Sequence, residues 1–105
     1  MPRPPQTVRN AARRALEARR EVPPSRRAMT PTGVKRASDL SRGVNVSAQT
    51  LRRMVSFLSR HEENYRKAKA QGLNARNSKA IQSYLGWGGS SALAWAKREL
   101  RKLEN

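Results

Sequence analysis

A chain of 105 residues that is 36% hydrophobic has room for one small core, and such a core leaves little margin over conformational entropy. Lys and Arg number 23 against seven acidic residues, a formal net charge of +16 that opposes compaction. The absence of cysteine excludes disulfides and thiolate metal sites, and no apolar run approaches the roughly 20 residues needed to cross a bilayer.

Residues 1–6, from Met1 to Gln6, are proline-rich, which predicts a mobile arm with no apolar secretory core. Thr7 is placed to cap a first helix over about 7–20, with Val8, Ala11, Ala12, Ala15 and Leu16 near helical spacing. Arg9, Arg13, Arg14, Arg19 and Arg20 surround that thin apolar face, opposed by Glu17 and Glu21. Such a helix suits a phosphate backbone followed without sequence reading. Pro23 and Pro24 end it, and residues 22–33 read as an extended linker carrying Arg26 and Arg27. The expected division is a basic arm over 1–31, docked on the rest of the protein or on a partner, and a helical domain over 32–105.

Thr32 or Gly33 opens a second helix through Val34, Ala37 and Leu40, stopped by Gly43. Ser47 caps a third, whose Leu51, Met54, Val55 and Leu58 form the cleanest amphipathic stripe, widened by Phe57. Arg52, Arg53, Ser56 and Arg60 lie on its other sides. Residues 34–55 also read as a helix-turn-helix in which Gln49 faces adenine and Arg52 or Arg53 faces guanine. The competing reading is two packed helices with an ordinary capped start. From about Asn64 to Asn77 the sequence is basic and polar, and a loop is expected, with a frayed extension of the third helix as the alternative at its start.

Ser78 caps a fourth helix with Ile81, Tyr84 and Leu85, and Gly86-Trp87-Gly88-Gly89 breaks it. Ser90 or Ser91 then caps a fifth, carrying Ala92, Leu93, Ala96, Leu100 and Leu103 with Trp95 alongside. Lys97, Arg98, Arg101 and Lys102 crowd its last turns, which suits the helix dipole. With no strand pattern of useful length, the fold class is all-α: a small bundle of four to five short helices with a basic Pro-rich N-terminal arm.

The chemistry-bearing residues are few. Trp87 and Trp95 bracket a glycine turn, and core area explains them better than stacking on an unpaired base. His61 stands beside Glu62 and Glu63 near an expected helix end, without the further ligands that a metal or acid–base site needs. Helix capping or local pairing is the expected role. Asp39 has no carboxylate partner, and the glycine-rich stretch from Gly86 to Ser91 lacks the lysine and preceding strand of a phosphate loop. No catalytic residue, metal site or cofactor is expected, and the chain does not read as an enzyme.

Three stretches resemble a small domain of tailed-bacteriophage proteins, especially those of phages of cyanobacteria and related prophages. They are Val8-Arg9-Asn10-Ala11-Ala12-Arg13-Arg14-Ala15-Leu16; Thr32-Gly33-Val34 through Ala37, Leu40, Gly43, Ser47 and Thr50-Leu51-Arg52-Arg53-Met54 to Ser56-Phe57-Leu58-Ser59-Arg60-His61; and Ile81 through Trp87-Gly88-Gly89 to Ala94-Trp95-Ala96. Together they span about residues 8–97. That domain occurs alone or appended to prohead proteases, so the resemblance implies a phage setting and supplies no mechanism. Two departures stand out. Ser90 occupies the place after Gly-Gly where an acidic residue is common, and the loop before the fourth helix is more basic than the pattern.

Charge carries the functional expectation. Residues 1–30 hold eight basic residues, 31–64 six and 65–105 nine, whereas a basic tail on a neutral domain would concentrate them. A solubilising surface mixes both signs. Each neutralised phosphate releases condensed counterions, so the expected partner is nucleic acid, double-stranded DNA first and RNA second, bound mainly through the backbone. The expected contacts are Arg9, Arg13, Arg14, Arg19, Arg20, Arg26, Arg27, Gln49, Arg52, Arg53, Lys97, Arg98, Arg101 and Lys102. The alternatives are a virion assembly or interaction module meeting capsid proteins, or an early protein gripping host RNA polymerase or the ribosome. Host cytoplasm or virion is the expected location, with no membrane partner. The oligomeric state stays open.

Overall fold

The computed structural model describes residues 2–104, so Met1 of the expected arm and Asn105 at the end of the expected domain lie outside the described residues. Five α-helices follow one another: α1 (Gln6–Glu21), α2 (Pro31–Ser41), α3 (Ala48–Ala70), α4 (Lys79–Gly86) and α5 (Gly89–Glu104), with a 3-10 turn at Pro24–Arg26. The described residues contain no strand, and the fold is a small all-α bundle.

Local chemistry sets most of the boundaries. Ser47 accepts a hydrogen bond from the Thr50 N–H at 3.2 Å, and Ser78 accepts one from the Ile81 N–H at 3.2 Å, so both serines cap as their sequence positions implied. Proline shifts two other starts. Pro5 occupies the cap of α1, and the helix begins at Gln6 rather than after Thr7. Thr30 accepts from the Gly33 N–H at 3.1 Å with Pro31 as the first helical residue, so α2 starts before the expected Thr32 or Gly33. The last helix starts at Gly89, ahead of Ser90 and Ser91.

The largest correction concerns residues 64–70, expected as loop with at most a frayed helical start and found as the last two turns of α3. Ion pairs Glu62–Arg66 at 3.5 Å and Glu63–Lys67 at 3.3 Å run along this stretch at i, i+4. Tyr65 stacks on Tyr84 with ring centroids 4.2 Å apart. Gly72, with φ of +79°, then ends the helix as its neighbours close a Schellman motif: Leu73 N–H donates to the Ala68 carbonyl and Gly72 N–H to that of Lys69.

One core joins the helices. Val8 and Ala12 of α1, Leu40 of α2, Leu51, Met54 and Leu58 of α3, Tyr84 of α4 and Trp95 of α5 belong to the same buried cluster. α3 packs along α5, while α1 packs against α2 and α4. α1 therefore docks on the bundle, and the boundary drawn at residue 31 does not coincide with a break in the core. Gly88 makes the fit of α1 possible. Its φ is +106°, and a Cβ there would lie 2.9 Å from Val8 Cγ1 and 2.5 Å from Ala92 Cβ.

Residues 2–5 are not the mobile arm their prolines suggested. The Val46 N–H donates to the Pro2 carbonyl at 2.8 Å, Arg3 Nε donates to the Gly43 carbonyl at 3.3 Å, and Pro4 is buried. Proline removes donors but keeps its carbonyl as an acceptor, and that acceptor anchors the segment. The expected linker is also folded back, its Ala28 N–H buried against Gln82.

Candidate nucleic-acid interface

The distribution of acids decides which cations are free. Among the described residues, seven basic side chains meet a carboxylate. Three of them converge on Asp39: Arg42 at 2.6 Å, Lys35 at 3.2 Å and Arg36 at 3.9 Å. Arg76 pairs with Glu21, and Lys102 with Glu99 at 3.5 Å. The remaining Lys and Arg side chains have no acidic partner among the described residues. The exposed pairs among these, Lys67–Glu63 and Arg76–Glu21, contribute about 0–1 kcal/mol, little enough for a phosphate to displace.

Four of these unpaired cations, with Arg76, line two adjoining clefts. The first, about 310 Å³, lies between α1, the end of α3, the following loop and α4, and is lined by Arg14, Glu17, Tyr65, Lys69, Asn74, Arg76 and apolar residues including Ile81 and Leu85. The second, about 340 Å³, is lined by Arg26, Arg76, Asn77, Ser78 and Lys79. Arg76 is common to both, and the two clefts, which adjoin at this residue, together make up the basic groove of α1, the 3-10 turn, α3, the loop and α4. The α4 N-terminus opens at Ser78 and Lys79, with no acid in its first turn to offset the helix dipole.

The expected contact residues fall into distinct groups. Arg14 and Arg26 reach the groove. Arg13 and Arg20 are exposed without an acidic partner, but line neither cleft. Arg9, Arg19 and Arg27 hold the protein's own chain. Arg9 lies against Gly43 with its Nε buried and unpartnered, while its Nη2 donates to Gln6 Oε1 at 2.7 Å. Arg19 Nε donates to the Ala28 carbonyl at 3.3 Å, and Arg27 Nε to the carbonyls of Arg19 and Val22 at 3.0 and 3.2 Å. Gln49, Arg52 and Arg53 are exposed on the first turns of α3, and Lys97, Arg98, Arg101 and Lys102 on the outer side of α5; none of them lines the groove.

Sequence reasoning missed Lys69, Arg76 and Lys79. They lie in or beside the stretch expected as a featureless loop, and its density of positive charge was the one signal available. The helix-turn-helix reading also needs correction. α2 packs on α1 and α4 rather than along α3, so the two helices lack the mutual packing which that motif uses to aim its second helix.

The tryptophans stay inside. Trp87 and Trp95 are both buried in the core. Phe57 stacks on Trp87 with centroids 4.8 Å apart and meets His61 at a tilt of 32° with centroids 4.3 Å apart, and Arg36 lies 5.9 Å from the Trp87 centroid. His61 thus sits in mid-helix, packed on Phe57, rather than near a helix end. No group of three or more His, Asp or Glu side chains capable of holding a metal ion gathers among the described residues. Among the described residues, no helix is long and apolar enough to cross a membrane.

No protein-family profile, curated protein or solved structure matches the chain. The site is therefore read from its own geometry.

Proposed function

We propose that the protein binds nucleic acid, double-stranded DNA foremost, mainly through the phosphate backbone and without catalysis. One observation carries this reading: cations from five separate segments line two clefts that share Arg76, in a molecule with a net charge of +16 whose acids neutralise a minority of its bases. A surface made merely for solubility has no reason to gather like charges, which repel at close range. The groove follows a backbone, and the exposed arginines of α1, α3 and α5 extend the contact.

Gel shifts with duplex DNA, single-stranded DNA and RNA at two salt concentrations test it. Affinity is expected to fall steeply as salt rises, by roughly 10³–10⁵ between 50 and 200 mM if six to ten phosphates are contacted. Absence of binding at low salt, or tight binding indifferent to salt, refutes the proposal.

A further inference from the structure

The first cleft differs from the rest of the basic surface because it has an apolar floor. Ala18 and Ile81 are buried, Tyr65 and Leu85 half-buried, and the exposed Arg14, Lys69 and Arg76 form its rim. A bare phosphate needs no such floor, and an apolar ligand needs no three cations. The combination suits a ligand with a flat apolar face and an anionic group. At about 310 Å³ the cleft lies at the small end of ligand sites, which run from about 300 to 1,000 Å³. It has room for a single nucleotide and none for a helix.

Tyr65 supplies the platform. Tyr84 covers one face of its ring, nearly parallel at 15°, and Tyr65 lines the cleft whereas Tyr84 does not. A ring fixed in this way loses little freedom when a base stacks on it. Asn74 Oδ1 already accepts from the Arg76 N–H at 2.9 Å, leaving the Asn74 amide N–H groups to donate, while the Glu17 carboxylate accepts. Arg14 and Lys69 have no acidic partner.

We infer that this cleft takes one unpaired nucleotide of the nucleic-acid partner, its base lying on Tyr65 and the Ile81–Leu85 floor and its phosphate between Arg14 and Lys69. The inference rests on the proposed function. A base inside an intact duplex cannot enter, so the cleft confers a preference for bulged or single-stranded sites on top of general backbone binding.

The test compares a short perfect duplex with the same duplex carrying one bulged adenosine, by fluorescence anisotropy at low salt. The bulged duplex is expected to bind about tenfold more tightly, in line with the stacking of one base on an aromatic ring. Tyr65→Leu removes the aromatic face while keeping apolar contact with Tyr84, and Lys69→Ala changes an exposed residue with no role in the core. Both are expected to abolish most of the preference. Adenosine monophosphate is expected to shift the amide resonances of the cleft residues where inorganic phosphate does not. Equal affinity for the two duplexes overturns the inference, as does a preference that survives both substitutions or identical shifts with inorganic phosphate. Binding of the perfect duplex is read in the same experiment, so its loss at low salt sinks the proposed function as well.

Discussion

The side-chain oxygen of Gln82 accepts a 2.8 Å hydrogen bond from the backbone N–H of Ala28, 54 residues earlier in the chain. The same amide group donates through Nε2 to the Ala75 carbonyl at 3.1 Å. One fully buried glutamine thus ties the segment after α1 to the loop before α4, and these two pieces carry Arg26 and Arg76 into the groove.

Replacing this residue is therefore expected to do more than remove a polar group. Gln82→Leu keeps the bulk but leaves the Ala28 N–H and Ala75 carbonyl without their partner. Each abandoned buried group costs about 1–3 kcal/mol. Chemical denaturation should show a loss in that range or somewhat above it. A change under about 0.5 kcal/mol would mean that solvent reaches both groups.

Two glycines with positive φ separate backbone strain from crowding. A Cβ at Gly72, φ +79°, meets nothing within 4 Å, whereas one at Gly88, φ +106°, meets Val8 and Ala92. Gly72→Ala is expected to cost about 1–2 kcal/mol, the price of a left-handed backbone for an L-residue. Gly88→Ala adds overpacking worth typically about 1–3 kcal/mol. Thermal unfolding of the two variants checks the order, and equal losses would show that α1 moves aside without resistance.

Helical class, the apolar stripe of α3 and the caps at Ser47 and Ser78 were legible because each is a local signal: periodicity, or a hydroxyl just ahead of a helix. What escaped were non-local relationships. The prolines of residues 2–5 suggested freedom, but Pro2 and Arg3 are held by Val46 and Gly43, some forty residues away. The polar residues 64–70 gave no apolar period to read, and their helix is supported by surface ion pairs and by Tyr65 on Tyr84. Gly72 followed by Leu73 was the available stop signal. The groove depended on loops meeting in space, so Arg14 and Arg26 were picked for their charge, while Lys69, Arg76 and Lys79 were passed over.

Tyr84 makes stability sensitive to alkaline pH. Burial pushes its phenol above the ordinary 10.0, an effect the neighbouring Ser90 side chain offsets only in part. The hydroxyl is fully buried, and no partner meets ordinary hydrogen-bond geometry. The unfolded chain gives up this proton near pH 10, while the folded protein retains it to higher pH. Below the unfolded value the contribution is fully present, and it is lost as pH rises from about 10 through the raised folded value. Tyr84→Phe is expected to leave stability at neutral pH unchanged or slightly higher and to flatten the alkaline decline. Denaturation midpoints of both proteins across pH 8–11 decide the matter. A parallel decline in the two would assign it to other groups.

The groove and the outer side of α5 offer rival phosphate-binding surfaces, and salt dependence tells them apart. Each phosphate contact removed lowers the slope of log affinity against log salt by about 0.9 for duplex DNA. Arg26, Lys69 and Lys79 are exposed, line the groove and have no acidic partner, so replacing all three with alanine disturbs little of the fold. Lys97, Arg98 and Arg101 are equally exposed but lie along one helix, where a curved backbone meets fewer of them together. The groove triple variant is expected to lower the slope by about 2–3 and to weaken duplex binding at least tenfold at moderate salt. The α5 triple variant should lower the slope by about one or less. If the α5 variant loses more, the backbone runs along that helix, and the convergence of five segments on Arg76 has another purpose.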